Sequence, residues 1–164
     1  MRTFRLIFTI IFLNTFSYCF SQDSDNLRIN RNSLYFELFG NAGYLYNVTY
    51  DRLVLIREKN KMSVGLGCQY FNSSDIDDYI FSISPQISYL YGSKHHLETG
   101  LGIAYDFNSH DLVIPIRIGY RFQKLEGGFF CKLGFTPLLT NSYPFFGDGY
   151  VFLPWGGAAI GWSF

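Results

Sequence analysis

Met62-Ser63-Val64-Gly65-Leu66-Gly67-Cys68-Gln69-Tyr70 alternates without a break: every second residue is apolar, and those between are Ser, Gly or Gln. Strand side chains repeat with a period of two, so this run has one greasy face and one small polar face. The same alternation recurs over residues 81–91, 97–107, 112–122 and 129–139. Working outward from it, eight strands are predicted near 34–40, 44–55, 62–71, 79–91, 97–107, 111–122, 129–139 and 154–164. Most run about 10 residues, the length that carries a tilted strand across a bilayer.

The apolar parity decides which face meets what. Ile83, Ile87, Leu101, Ile103, Ile114 and Ile116 sit mid-strand, while Tyr, Phe and Trp gather at the strand ends, as in an aromatic girdle at lipid headgroups. The opposite parity carries Ser82, Ser84, Gln86, Ser88, Gly100, Gly102 and Ala104, too small and polar to line the hydrophobic calyx of a lipocalin-type barrel. It also carries Glu37, Asp51, Glu98, Asp106, Arg117, Arg121 and Lys132. Buried charges persist when paired, and both signs are present, so a salt-bridged, largely filled lumen is expected. The fold class is therefore all-β: an eight-stranded antiparallel up-and-down transmembrane barrel.

The N-terminus sets the compartment. Arg2 and Arg5 precede a short apolar core over residues 6–13, and Cys19-Phe20-Ser21 has the small residues that a signal peptidase takes. Cleavage is expected between Ser21 and Gln22, giving a signal peptide over 1–21, a polar lead-in over 22–33 and the barrel over 34–164. Asn14 interrupts the apolar run too early for a membrane helix, which needs roughly 20 residues. A lipoprotein site at Cys19 is the lesser alternative, with bulky Tyr18 where such a site takes Gly, Ala or Ser. Of the 13 basic residues Arg2 and Arg5 leave with the signal, so 11 face 13 acidic ones. That balance, without a basic stripe, offers nothing to nucleic acid. Cys68 and Cys131 fall on strands that are not neighbours, so no disulfide is expected.

The connections fall into two sets. Residues 57–61, 92–95 and 123–127 are compact and Lys-rich; residues 41–43, 72–78, 108–110 and 140–153 hold no Lys or Arg. With both termini in the periplasm the first set forms the turns, and the second faces outward.

Several stretches carry a family resemblance: Phe36-Glu37-Leu38-Phe39-Gly40-Asn41-Ala42-Gly43, Tyr50-Asp51-Arg52, His95-His96-Leu97-Glu98-Thr99-Gly100-Leu101-Gly102, Gly119-Tyr120-Arg121-Phe122, Gly134-Phe135-Thr136-Pro137-Leu138, Pro154-Trp155 and Gly161-Trp162-Ser163-Phe164. The chain resembles small outer-membrane barrels of the OmpA/OmpX type, and more closely the outer-membrane β-barrel proteins of Bacteroidetes. The resemblance implies a signal-cleaved outer-membrane protein inserted by the barrel-assembly machinery, which reads a terminal strand such as Trp162 to Phe164. It implies no settled activity.

Candidate chemistry is sparse. Ser109-His110-Asp111 offers a base beside a nucleophile, but adjacent residues on an extended chain point apart, so a polar outer loop is the expectation unless a turn brings in Asp106 or Asp75. His96 and Glu98 share the inner face without a third ligand, and Asp75, Asp77 and Asp78 lack a calcium-loop spacing, so no metal or cofactor is expected. Tyr143, Phe145, Phe146, Tyr150 and Phe152 in the longest loop mark a surface for contact or for folding over the mouth. The leading expectation is a monomeric, non-enzymatic barrel among outer-membrane lipid and lipopolysaccharide, with a structural or surface-interaction role. A lipid-modifying hydrolase using His110 and a narrow solute pore through the charged lumen are the alternatives.

Overall fold

A computed structural model describes residues 29–42, 45–72, 79–140 and 151–164. They form eight strands: β1 Asn32–Phe39, β2 Tyr46–Arg57, β3 Asn60–Asn72, β4 Tyr79–Gly92, β5 in two pieces (His95–Gly102 and Ala104–Asp106), β6 Leu112–Gln123, β7 as Gly128–Phe135 and Leu138–Thr140, and β8 as Val151–Leu153 and Gly156–Ser163. Each strand pairs antiparallel with the next, and β8 returns to β1 through Ser33–Ser163 to Phe39–Gly157. The sheet is thus a closed barrel with no free edge, the arrangement that leaves every ladder group partnered.

Register fixes the lean of the strands. Asn32 pairs with Arg52, Arg52 with Val64, Val64 with Ile87, Ile87 with Leu101 and Leu101 with Ile116. Carried through β7 and β8, the same register regains the line of the first strand near Ala42, ten residues beyond Asn32. A stagger of that size tilts eight strands by about 35–45° and leaves a bore that side chains alone can fill.

Local chemistry explains where the strands depart from the expected runs. Pro137 and Pro154 have no N–H to give the ladder, and β7 and β8 break at them. The turn between β2 and β3 is only Glu58-Lys59, with Glu58 at φ 44°, so Asn60 and Lys61, expected in the turn, belong to β3. The lead-in expected to run to residue 33 gives way to β1 at Asn32. Its last residues are tied down: Asn30 N–H donates to Leu125 C=O at 2.7 Å, and Leu53 N–H to Arg31 C=O at 2.8 Å. The expected signal peptide over 1–21 and residues 22–28 lie outside the described residues.

The faces divide as the alternation demands. Leu101, Ile118 and Leu133 are 52, 54 and 65 % exposed on the outer wall, whereas Ser84, Gly102 and Arg117 on the opposite parity are buried. Aromatic rings collect at both rims, Tyr70–Tyr79 and Phe81–Phe107 at the loop end, His95–Phe122 and Phe122–Phe129 at the turn end. Cys68 and Cys131 are both free thiols. No helix among the described residues is long and apolar enough to cross a membrane, a test that says nothing of a barrel.

Candidate functional site

The expected outer loop over residues 41–43 begins instead by turning inward. Phe39 and Gly40 take positive φ (59° and 67°), and Gly40–Ala42 make a single 3-10 turn. Gly40 lies so close to the Glu37 carboxylate and to Gly157 that a side chain at either glycine would collide with them. Glycine is therefore demanded twice here, by the backbone angle and by space. The turn delivers the buried Asn41 to the lumen, where its Oδ1 accepts from Arg117 Nε and Nη2, each at 3.4 Å.

Arg117 also donates through Nη2 to Glu37 Oε1, both side chains being fully enclosed. One turn-ward step along β6, Arg121 serves as the centre of a larger group. Its Nη2 donates to Asp51 Oδ1 at 2.6 Å, its Nε to Gln123 Oε1 at 2.9 Å and its Nη1 to Ser63 Oγ at 3.3 Å, with Glu98 Oε1 at 4.0 Å. Lys132 Nζ stands 3.7 Å from the same Glu98 oxygen and donates to the Tyr35 hydroxyl at 2.8 Å. Ser88 Oγ gives Glu98 Oε1 another hydrogen bond at 3.0 Å. Burying ions is costly unless geometry and hydrogen bonds answer them, and here three cations meet three carboxylates in two groups, Arg117 with Glu37 and Arg121 and Lys132 with Asp51 and Glu98.

Two aromatic rings hold this group in place. Tyr35 and Phe130 stack with centroids 4.8 Å apart, Arg121 lies over Phe130 at 4.8 Å and Lys132 over Tyr35 at 4.3 Å. Desolvated cation–π contacts of this kind are worth about 2 kcal/mol each. The sequence reading assigned neither ring to the lumen. Both sit in runs that are apolar on both parities (Leu34-Tyr35-Phe36 and Phe129-Phe130), so one residue of each run had to face inward.

Of the seven charged residues expected in the lumen, six are paired there, four in the Arg121 group and two as Arg117–Glu37. Asp106 is not: it is buried at the loop end, where Oδ1 accepts from the N–H groups of Asn108 (2.8 Å) and Ser109 (3.2 Å) and caps the β5–β6 turn. Lys61, expected in an exposed turn, is instead buried on the inner face and donates to the carbonyls of Glu58 (3.3 Å) and Gly92 (2.5 Å). His96 and Glu98 do share the inner face, and both ring nitrogens of His96 lack a partner. Among the described residues no three His, Cys, Asp or Glu side chains gather as a metal would require.

The remaining candidates lie at the rims. His110 is exposed at φ 60°, and its Nδ1 meets the Tyr105 hydroxyl at 2.9 Å rather than a carboxylate. Of the loop aromatics, Tyr143, Phe145, Phe146 and Tyr150 lie outside the described residues, and Phe152 is an exposed wall residue of β8 paired with Leu139. Trp162 is exposed on the outer wall near the turn end, and Phe164 exchanges two backbone hydrogen bonds with Asn32. No protein-family model, curated protein or solved structure matches this chain.

Proposed function

We propose that the mature chain is an integral outer-membrane β-barrel of the OmpA/OmpX kind, akin to those of Bacteroidetes, with a structural or surface-interaction role and no catalysis. One observation carries the reading: the wall is reversed relative to a water-soluble barrel. Leu101, Ile118, Leu133 and Ile160 are exposed, while Glu37, Asp51, Glu98, Arg117, Arg121 and Lys132 are enclosed. In water that arrangement would expose an apolar belt; in lipid the belt becomes favourable, while the six charges are held inside by pairing with one another. The export-signal features at Arg2, Arg5 and residues 6–13 support delivery to that membrane. Lipopolysaccharide and phospholipid are then its surroundings and the monomer its working form.

The filled bore argues for a sealed wall rather than a conduit, since eight strands leave no water channel. Purified protein in a planar bilayer is expected to pass no current; stable channel events would overturn the sealed reading. The absence of catalysis is tested separately by His110→Ala in the producing cell, with an unchanged lipid A acylation profile expected.

A further inference from the structure

Charge outside the lumen network is sorted by end. Arg57, Lys59, Lys94 and Lys124 are exposed at the turn end, with Arg31 and Arg52 half-buried beside them and, among the described residues of the turns, Glu58 and Glu126 opposing. From residue 29 onward every other Lys and Arg (Lys61, Arg117, Arg121, Lys132) faces the interior. Among the described residues the opposite end carries Asp106 and Asp111 and no Lys or Arg. A barrel with this sorting presents a positive collar at one level only.

That collar lies where a headgroup would be. Arg52 is on the outward parity of β2, and Asn32 Oδ1 fixes it by accepting from Arg52 Nη1 at 2.8 Å and from the Tyr50 hydroxyl at 2.9 Å. The outward Trp162 is a close neighbour: Leu34 of β1 pairs with Tyr50 on one side and with Trp162 on the other. At the same end Tyr89 donates to Asn60 at 2.5 Å and the Tyr120 hydroxyl meets His95 at 2.6 Å, so polar tips and cations share one level above the apolar belt. Ring hydroxyls and guanidinium groups at that level match the phosphodiester layer of a leaflet.

We propose that the turn end is a binding collar for anionic phospholipid headgroups, with Arg57, Lys59, Lys94 and Lys124 meeting lipid phosphates from the turns. The proposal rests on the membrane reading above and names the lipid class that the reading leaves open. Attraction of this kind grows with each exposed cation and is screened by salt, whereas the apolar belt is indifferent to both.

The chain has two tryptophans, and Trp155→Phe leaves Trp162 as a reporter at the collar. That protein is reconstituted in phosphatidylcholine bilayers containing either dibrominated phosphatidylcholine or dibrominated phosphatidylglycerol, and quenching of Trp162 is read. Phosphatidylglycerol is expected to occupy the collar with roughly threefold preference, falling to parity near 1 M salt. The further substitutions Arg57→Gln, Lys59→Gln, Lys94→Gln and Lys124→Gln are expected to abolish the preference while the β circular-dichroism spectrum stays unchanged. Equal quenching by both lipids at low salt overturns the collar, and a preference that survives the four substitutions overturns its assignment to these side chains. Quenching by neither lipid overturns the membrane reading itself, so the two failures are distinct.

Discussion

On the turn side of the lumen, Arg121 has hydrogen-bond partners for all three guanidinium nitrogens, lies over the Phe130 ring and faces two carboxylates, Asp51 and Glu98. On the loop side, Arg117 has Glu37 and a long contact to Asn41, and Arg117 Nη1 and Glu37 Oε2 have no protein partner. Asn47 Oδ1, Gln69 Oε1, Ser82 Oγ, Thr136 Oγ1 and Trp155 Nε1 around and above that pair also lack one. The same residue type, four positions apart on one strand, thus has every guanidinium nitrogen answered in one group and Nη1 unanswered in the other, while Glu98 Oε2 and both ring nitrogens of His96 on the turn side also lack a protein partner. A group left unanswered after burial costs about 1–3 kcal/mol, so Arg121 should contribute more to stability than Arg117.

The hardest test of that contrast is Arg121→Met. It leaves Asp51 and much of the Glu98 charge uncompensated, and breaking a buried ion pair costs about 3–5 kcal/mol. Equilibrium unfolding in urea, with the barrel in lipid vesicles, should show a loss in that range. A loss like that of a surface pair, below about 1 kcal/mol, would remove the network as the seat of stability. Next in size is the wall against the lumen at one height. Leu101→Arg places a charge on the mid-belt and is expected to cost about 2–4 kcal/mol in the same assay. Ser84→Ala on the inner face, which removes one of two hydrogen bonds made by Asn47 Nδ2, should lie within about 1 kcal/mol of the parent. Reversed magnitudes would turn the barrel inside out.

Much of this was legible in the chain because period two is a local property. Ser63, Gly65 and Gly67 sharing a face needs only their spacing, and so does Leu101 opposing Gly102. Which inner charge meets which is a matter of depth, and depth depends on stagger summed over eight strands. Glu37 and Arg117 stand 80 positions apart, and nothing near either names the other. Lys61 was missed because its side depends on a turn three residues shorter than its Lys-rich sequence suggested. Asp106 has the right parity but sits at a strand end, where backbone N–H groups of the following turn reach it before any cation does. The inward turn at Gly40–Ala42 hid behind glycine itself, which suits an outer loop equally well.

The loop half yields a smaller effect. Arg117→Leu should cost about 1.5–3 kcal/mol, since it orphans the enclosed Glu37. Arg117→Leu combined with Glu37→Leu is expected to recover most of that loss, because a buried pair can be replaced by apolar side chains with little penalty. A double variant as unstable as the single one would mean that Asn41 and its turn depend on the pair for their place in the bore.

The smallest effect sharpens the comparison most, because it matches one amide with another. Gln123 accepts from Arg121 Nε at 2.9 Å and passes the network on, its Nε2 donating to Ser33 Oγ at 3.0 Å, which in turn lies 2.9 Å from Ser163 Oγ at the β1–β8 seam. Asn41 accepts from Arg117 at 3.4 Å and 3.4 Å, lengths at which a hydrogen bond is weak. Gln123→Leu should therefore cost about 1–1.5 kcal/mol and Asn41→Leu about 0.5 kcal/mol in the same urea titration. Leu has the heavy-atom count of Asn and one atom fewer than Gln, so most of the difference reflects the polar contacts. Equal costs would mean that seam position and bond length do not set the energetics of this interior, and the contrast between the Arg121 and Arg117 groups would fall with them.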